Sequence, residues 1–372
     1  MVNASHPSKC ARHSEKTMAT YDIAGKVQTV QGLIDPSDLG TTICHEHVFI
    51  DGTPLQVKPL TTSEEGMARQ PVSLEILWWL RLYPHKNPDN MHLDDVDTAV
   101  YELMQYKMLG GDSLVDVTSI GLGRDPEGLY RVSRATGLNI IMGAGYYSEL
   151  TFPPKIDRMS EEELAEEIMQ DISEGVGNTG IKPGVIGELG SRDWPWPDSS
   201  RKGVRAAAMA QVRTGAPIII HTPSHPDAPF VIVETLREAG ADLAKTVMSH
   251  IDVVLPTFEE HKMLLDTGVN LQFDHFGREV SYSDVAPAQE LPNDAQRIGY
   301  INRLVDEGYG RQILMSHDTP TKDRLTVWGG PGYGHILRSI VPRMKIKGIA
   351  DEHIRAILVE NPARILQFGK PA

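Results

Sequence analysis

The chain has 372 residues, 40% hydrophobic and 23% charged, and its 36 basic and 50 acidic side chains give a formal net charge of −14. That length holds one large or two ordinary domains, and the composition is that of a globular protein with a sizeable core. The negative balance argues against a nucleic-acid or anionic-membrane partner, both of which reward basic patches, and no run approaches the ~18 apolar residues of a membrane span.

The first twenty residues, MVNASHPSKCARHSEKTMAT, are polar and lack the apolar stretch of a secretory signal. Residues 1–22 read as a disordered leader, with Met18 as an alternative start, and residues 23–372 as the folded unit. There are two cysteines, Cys10 in the leader and Cys44 in a predicted strand. They argue against a disulfide and fit a reducing, cytoplasmic compartment.

After the leader, short β-branched runs alternate with helical stretches. Strands are predicted over Thr41–Phe49, Ser113–Ser119, Asn139–Gly145, Gly184–Leu189, Pro217–Thr222, Thr246–His250, Val269–Phe273 and Gln312–Ser316. Helices are predicted over Asp94–Leu109, Pro126–Thr136, Ser160–Gly175, Arg201–Thr214, Pro229–Ala239, Thr257–Asp266 and Asp294–Glu307. Ser160 with Glu163 forms a capping box, and Gly137 and Gly240 suit helix C-termini. Strict alternation over eight strands implies parallel βαβ units closed into a distorted (β/α)8 TIM barrel. An open doubly wound sheet is the alternative, but it does not normally need eight strands.

Two segments exceed the pattern. Residues 51–93, an insertion after strand 1, contain Leu77-Trp78-Trp79-Leu80 and form either an active-site cover or a subunit contact. Aromatic clusters of this kind favour interfaces, which points to a homodimer. The long loop Thr319–Gly334 after strand 8 contains Trp328-Gly329-Gly330-Pro331-Gly332-Tyr333 and reads as a mobile lid, with Trp328 a candidate substrate contact. Gly329-Gly330 lacks the strand–glycine–helix context of a phosphate loop.

The chemistry lies at the strand ends, where (β/α)8 enzymes build their sites. Strand 1 carries His45-x-His47, whose side chains share a face by period-two alternation while Cys44 and Glu46 take the other. Strand 4 ends with Glu188, strand 5 with His221, strand 6 with His250 and strand 8 with His317-Asp318; strand 7 runs into Asp274-His275. Any one of these is an ordinary rim residue or cap. Converging on one low-dielectric pocket, they stay unsatisfied unless a cation neutralises them. Four histidines and two carboxylates exceed one tetrahedral ion and suit two divalent ions ~3.5–4 Å apart. His45, His47 and Asp318 are expected to hold one ion, His221 and His250 the other, with Glu188 bridging. A bridging water with its pKa lowered toward ~7 becomes the nucleophile, and Asp318 accepts its proton. The donors suit Zn foremost, or Mn, Co or Fe.

The pair His45-x-His47, with His221-Thr222, Ser249-His250 and Ser316-His317-Asp318 in this order, resembles the ligand set of the phosphotriesterase family of the amidohydrolase superfamily. Asn361-Pro362-Ala363-Arg364-Ile365-Leu366 is similar to that superfamily's closing segment, and the resemblance covers residues 24–368. It implies a binuclear metallohydrolase. Many members bridge the metals with a carbamylated lysine on strand 4, whereas here Lys182 precedes the strand and Glu188 takes the bridging place. That resembles the phosphotriesterase-related branch, whose members look more like lactonases, esterases or amidases than organophosphate hydrolases.

The resemblance also implies that Tyr147 lies near the bridging water, where its hydroxyl could hold a substrate oxygen, and that Asp252 and His275 relay a proton from Asp318. Rim packing for Tyr147 and a turn cap for Asp252 are the plainer alternatives. Arg278 is a candidate clamp for a substrate anion, and Trp194 and Trp196 either wall the pocket or pack in the core or an interface. The expected activity is hydrolysis of a small carboxylic ester, lactone or amide. Phosphotriester hydrolysis on the same site is the alternative, and a non-catalytic metal-binding protein is a third reading.

Overall fold

The computed structural model describes residues 23–284 and 289–371. The leader, with Cys10 and Met18, lies outside the described residues.

Eight short strands form one parallel sheet in chain order. They are β1 (Thr42–Glu46), β2 (Ser113–Asp116), β3 (Asn139–Ala144), β4 (Val185–Gly190), β5 (Ile218–His221), β6 (Thr246–Met248), β7 (Asn270–Phe273) and β8 (Ile313–Met315). The longer helices between the strands are α1 (Val96–Met108), α2 (Pro126–Thr136), α3 (Glu161–Glu174), α4 (Asp198–Thr214), α5 (Ala228–Glu238), α6 (Phe258–Leu265) and α7 (Asp294–Asp306). The expected capping box at Ser160 is formed, and Gly137 closes α2 in the left-handed conformation that glycine adopts without a Cβ penalty.

Helical segments 336–346 and 351–366 complete the ring after β8, and a hairpin of Val27–Thr29 with Gly32–Ile34 precedes β1. Neither was visible in the sequence pattern. The strands bury both faces, as parallel sheets do. Ile43, Leu114, Ile140, Ile186, Ile218, Leu271 and Ile313 pack toward the helices. Cys44, Val115, Val117, Ile141, Val185, Ile219, Val247 and Leu314 form a separate inner layer, closed by Val27, Leu39, Ile365 and Leu366. Cys44 is a free, buried thiol.

The strict alternation expected for strand 1 does not hold. The β1–β2 register slips between Ile43 and Glu46. Such an irregularity re-aims side chains, so Cys44 packs in the inner layer while His45 and His47 still reach the cluster at the strand ends.

No strand ladder joins β8 to β1 among the described residues. Side chains close this seam instead. The Ser316 hydroxyl accepts the His45 N–H at 2.8 Å and donates to Glu46 Oε1 at 2.8 Å. The same Glu46 oxygen accepts the His317 N–H at 2.9 Å and lies 2.7 Å from His317 Nδ1. Asp318 N–H adds one backbone bond to His45 O at 3.2 Å. Leaving a buried donor without its acceptor costs about 1–3 kcal/mol. Glu46→Ala is therefore expected to lower the urea midpoint by that equivalent, and an unchanged midpoint would show that the seam does not depend on this carboxylate.

The mobile-lid expectation for 319–334 is corrected. Arg324 is buried and donates to the Phe276 and His317 carbonyls at 2.9 and 3.0 Å. Asp323 Oδ1 accepts from Asn90 at 2.8 Å, Lys322 meets Asp89 at 2.6 Å, and Glu102 on α1 accepts from Thr326 and the Val327 N–H. A loop with this many buried polar partners is fastened down. Its glycines instead allow close approaches: a Cβ at Gly330 would lie 2.2 Å from the Arg324 carbonyl carbon.

The 51–93 insertion is divided. Trp79 packs with Ala68, Ile76 and Leu80 in a small core of its own, and only Trp78 of the tryptophan pair is exposed. Its other side, residues 54–57 and His85, roofs the cavity over the strand ends, which favours the cover over the subunit contact.

Candidate active site

A cavity of about 520 Å³ opens at the C-terminal ends of the strands, and His47, Glu188, His221, His250, His275, Asp318, Tyr147 and Arg278 all line it. His45 lies beneath them, fully buried. The structure thus brings together every predicted ligand position.

Glu188 is the centre. The β4–β5 register slips between Ile186 and Leu189, around Gly187. Gly187 has φ +121°, and a Cβ there would stand 2.1 Å from the Ile219 carbonyl oxygen, so only glycine fits. The Glu188 carboxylate then spans two sets of imidazoles. Oε1 is 2.6 Å from His221 Nδ1, 2.8 Å from His250 Nε2 and 3.5 Å from His45 Nε2, while Oε2 is 4.0 Å from His47 Nε2. Asp318 Oδ1 lies 3.4 Å from His47 Nε2 and 3.9 Å from His45 Nε2. Among the described residues, His250 and Asp318 are the non-glycine residues with left-handed backbone, at φ +63° and +49°. Such conformations cost about 1–3 kcal/mol and persist where surrounding contacts dictate them, commonly at functional sites.

The rear nitrogens are fixed. His47 Nδ1 is 2.8 Å from the Thr118 hydroxyl, His250 Nδ1 is 3.0 Å from Asp274 Oδ1, and His45 Nδ1 faces Ser249 at 3.1 Å and Gln272 at 3.3 Å. Outer partners of this kind orient metal-binding imidazoles and set their tautomers. His45 Nε2 itself is buried without any hydrogen-bond partner and faces the cluster. An unpartnered imidazole nitrogen, two carboxylates and three more imidazoles around one point are donors of the kind a divalent cation takes.

Charge in the cluster tells the same story. Burial alone would drive the His45 imidazole toward its neutral form, but Glu188 and Asp274 outweigh it and raise its pKa to about 9. The same two carboxylates outweigh burial at His250 and raise it well above the usual range. At His221 burial wins and lowers the pKa to about 4. Despite their burial, Glu188 and Asp318 are held well below the ordinary carboxyl range by the imidazoles around them. With these shifts the carboxylates are held ionised, and positive charge on the imidazoles balances them.

From Asp318 a chain of groups runs outward. Asp318 Oδ2 is 3.5 Å from His275 Nε2, and His275 Nδ1 is 3.0 Å from Asp252 Oδ1. The Arg297 Nε–H donates to Asp252 Oδ2 at 2.6 Å. Burial would raise the Asp252 pKa, but His275 and Arg297 overcome it and lower the value strongly. Asp252 is thus an ion-paired residue rather than the turn cap considered from sequence. Tyr147 is buried with its hydroxyl 3.2 Å from His221 Nδ1, and burial raises its pKa. The Arg278 guanidinium lies 3.8 Å from Asp318 Oδ2.

Other candidates fall outside. Trp328 does not line the cavity; it packs against the helix-facing core with Lys322 over its ring at 5.5 Å, because the loop that carries it is fastened to α1. Trp196 is buried in that same core, and Trp194 stacks on His225 at 5.1 Å. His317 turns from the cavity to Glu46. Lys182 borders a separate groove with Gln28 and Val30, away from the strand ends.

Sequence reasoning did not assign Asp274, Arg297 or Arg192. Asp274 adjoins His275 and could have been found as a carboxylate next to a strand-end histidine. The two arginines carry no local signal.

Over residues 25–366 the sequence matches the phosphotriesterase family model. It is 41% identical to the N-acetyltaurine hydrolase of Bos taurus over 347 residues, which are 93% of this chain and 99% of that protein. A solved resiniferatoxin-binding protein from Rhodobacter sphaeroides superposes with a TM-score of 0.87 at 35% identity, covering 92% of this chain and 95% of the other. A lactonase from Listeria monocytogenes superposes with a TM-score of 0.75 at 25% identity, covering 93% and 100%. A match spanning the whole barrel, on top of strand ends that carry the expected histidines and carboxylates in order, makes this chain a hydrolase of the phosphotriesterase family.

Proposed function

We propose that this hydrolase is a two-metal amidase that cleaves a small N-acylated amine. The observation that carries the metal count is that Glu188 belongs to two ligand groups, one with His45 and His47 and the other with His221 and His250. His45, His47 and Asp318 would hold one ion, His221 and His250 the second, and Glu188 both; the imidazole-rich set suits zinc. Bound there, the ions supply Lewis acidity for the substrate carbonyl and a water that ionises near neutral pH.

The chain's own groups do the rest. Asp318 Oδ2 takes the proton released as the water oxygen bonds to the acyl carbon, and His275, 3.5 Å away, moves a proton between Asp318 and solvent. Arg297 and Asp252 keep the His275 ring oriented. The Tyr147 hydroxyl stands where it can donate to a substrate oxygen beside His221. Residues 54–57 and His85 of the insertion line the cavity beside these groups. As the carbon–nitrogen bond breaks, the proton returns to the leaving amine.

The amide is favoured over other acyl bonds because the Bos taurus relative, aligned over nearly its whole length, is named for hydrolysis of an N-acetyl amide. Lactones are the second reading, favoured by the Listeria monocytogenes neighbour. Metal analysis followed by turnover of N-acetyl amides, γ- and δ-lactones, aryl esters and paraoxon separates the readings. Amides should lead the panel. A phosphotriester rate above every carbonyl substrate would overturn the ranking, and unchanged turnover in chelated protein would overturn the mechanism.

A further inference from the structure

We infer that Arg192 anchors an anionic group on the substrate, a short distance from the scissile bond; this rests on the amidase reading above. Arg192 follows β4 by two residues and lines the cavity with Tyr147, His221 and Glu188. Its Nη1 donates to the Tyr147 hydroxyl at 3.3 Å, and Tyr147 in turn stands 3.2 Å from His221 Nδ1. A guanidinium carries five donors, and among the described residues this one has no carboxylate partner in ion-pair contact, unlike Arg278 beside Asp318 or Arg297 beside Asp252.

Two carboxylates act on its charge, Glu188 in the cage and Glu149, and neither is in ion-pair contact with it. Glu149 Oε1 accepts the backbone N–H groups of Arg192 and Asp193 at 3.1 and 3.2 Å, and Oε2 accepts the Ser191 and Ser200 hydroxyls at 3.1 and 2.8 Å. Glu149 therefore fixes the loop that presents Arg192 while leaving the guanidinium uncommitted. A half-buried cation with spare donors in a substrate cavity is placed for a carboxylate or sulfonate, which it can grip with two parallel bonds. Its position, two hydrogen bonds from a strand-end imidazole, sets a spacer of only a few atoms between anion and amide. A neutral amide of the same shape would leave the guanidinium's donors unmatched, which is how a site rejects an analogue.

The test uses metal-loaded, full-length protein and three probes with the same two-carbon spacer: N-acetyltaurine, N-acetyl-β-alanine and the neutral N-acetylethanolamine. The unaltered protein should favour the anionic pair. Arg192→Gln should cut the anionic-to-neutral ratio of kcat/KM about 30-fold, chiefly through KM, the size expected when one charge-assisted contact is lost, and Arg192→Lys should restore part of it. Calorimetric binding of ethanesulfonate, which cannot be cleaved, should weaken in parallel. If Arg192→Gln lowers all three substrates together, the residue only orders Tyr147 and the inference falls. It falls equally if Arg278→Gln, and not Arg192→Gln, collapses the ratio. Failure of every N-acyl substrate in the unaltered protein would overturn the amidase reading instead, while the ethanesulfonate measurement would still decide Arg192.

Discussion

Glu188→Gln is expected to leave purification with a small fraction of the metal bound by the unaltered protein and with activity near the uncatalysed rate. The substitution keeps the side chain's size but removes the charge on which His221, His250 and His45 converge. Even partners that only orient metal ligands cost 10–100-fold in affinity when lost, so a shared ligand should cost on the order of 100-fold or more in affinity for at least one ion. Metal content by mass spectrometry, read beside circular dichroism to confirm the fold, checks this. A variant that keeps two ions per chain would exclude Glu188 as the bridge. Because protonated imidazoles must be emptied before they can bind a cation, metal uptake by the unaltered protein should strengthen as pH rises toward the His45 value of about 9.

The second large effect concerns Asp318. Asp318→Asn preserves one oxygen toward His47 and His45 while removing the group that can accept a proton at Oδ2. General-base catalysis contributes about 10²–10⁴-fold, so kcat should fall by roughly 10³-fold with KM little changed. His275→Asn should cost less, since Asp318 can still pass its proton to solvent. Measured kcat within tenfold of the unaltered enzyme, in Asp318→Asn protein that retains its metal, would remove Asp318 from the proton path.

The barrel was legible because the chain is written in βα units: apolar β-branched runs of five to nine residues that alternate with helical stretches. Pro126–Thr136 is bounded by an Asp125 cap and Gly137, and the observed helix has those same limits. The strand-end histidines were legible because the barrel sends all strand ends to one mouth. The hairpin at 27–34 was not, since its strands have only three residues each, too few to show a period. Nor were the closing helices at 336–366, whose five-residue wide turns, Ile336–Ile340 and Ala356–Glu360, break the 3.6-residue stripe.

Arginines were the least visible part of the site. With 36 basic residues in the chain, nothing local marks Arg192 or Arg297, and their importance comes from partners on other elements. Trp328 illustrates the opposite error. A glycine-rich loop looks free in sequence, but Thr326 finds Glu102 across 224 positions and Asp323 finds Asn90 across 233, contacts that no local pattern foretells.

The seam between the last and first strands has a consequence for endurance. His45 and Ser316 meet across 271 positions of chain, and the same two edges supply His45 and His47 on one side and Asp318 on the other. A cation shared by these three residues would act as a rivet, tying the two ends of the sheet into one hoop. Cross-links that enclose long loops take the most entropy from the unfolded chain. The ion would then guard the barrel against opening at its weakest join, so that the enzyme's chemistry and its lifetime depend on the same few side chains.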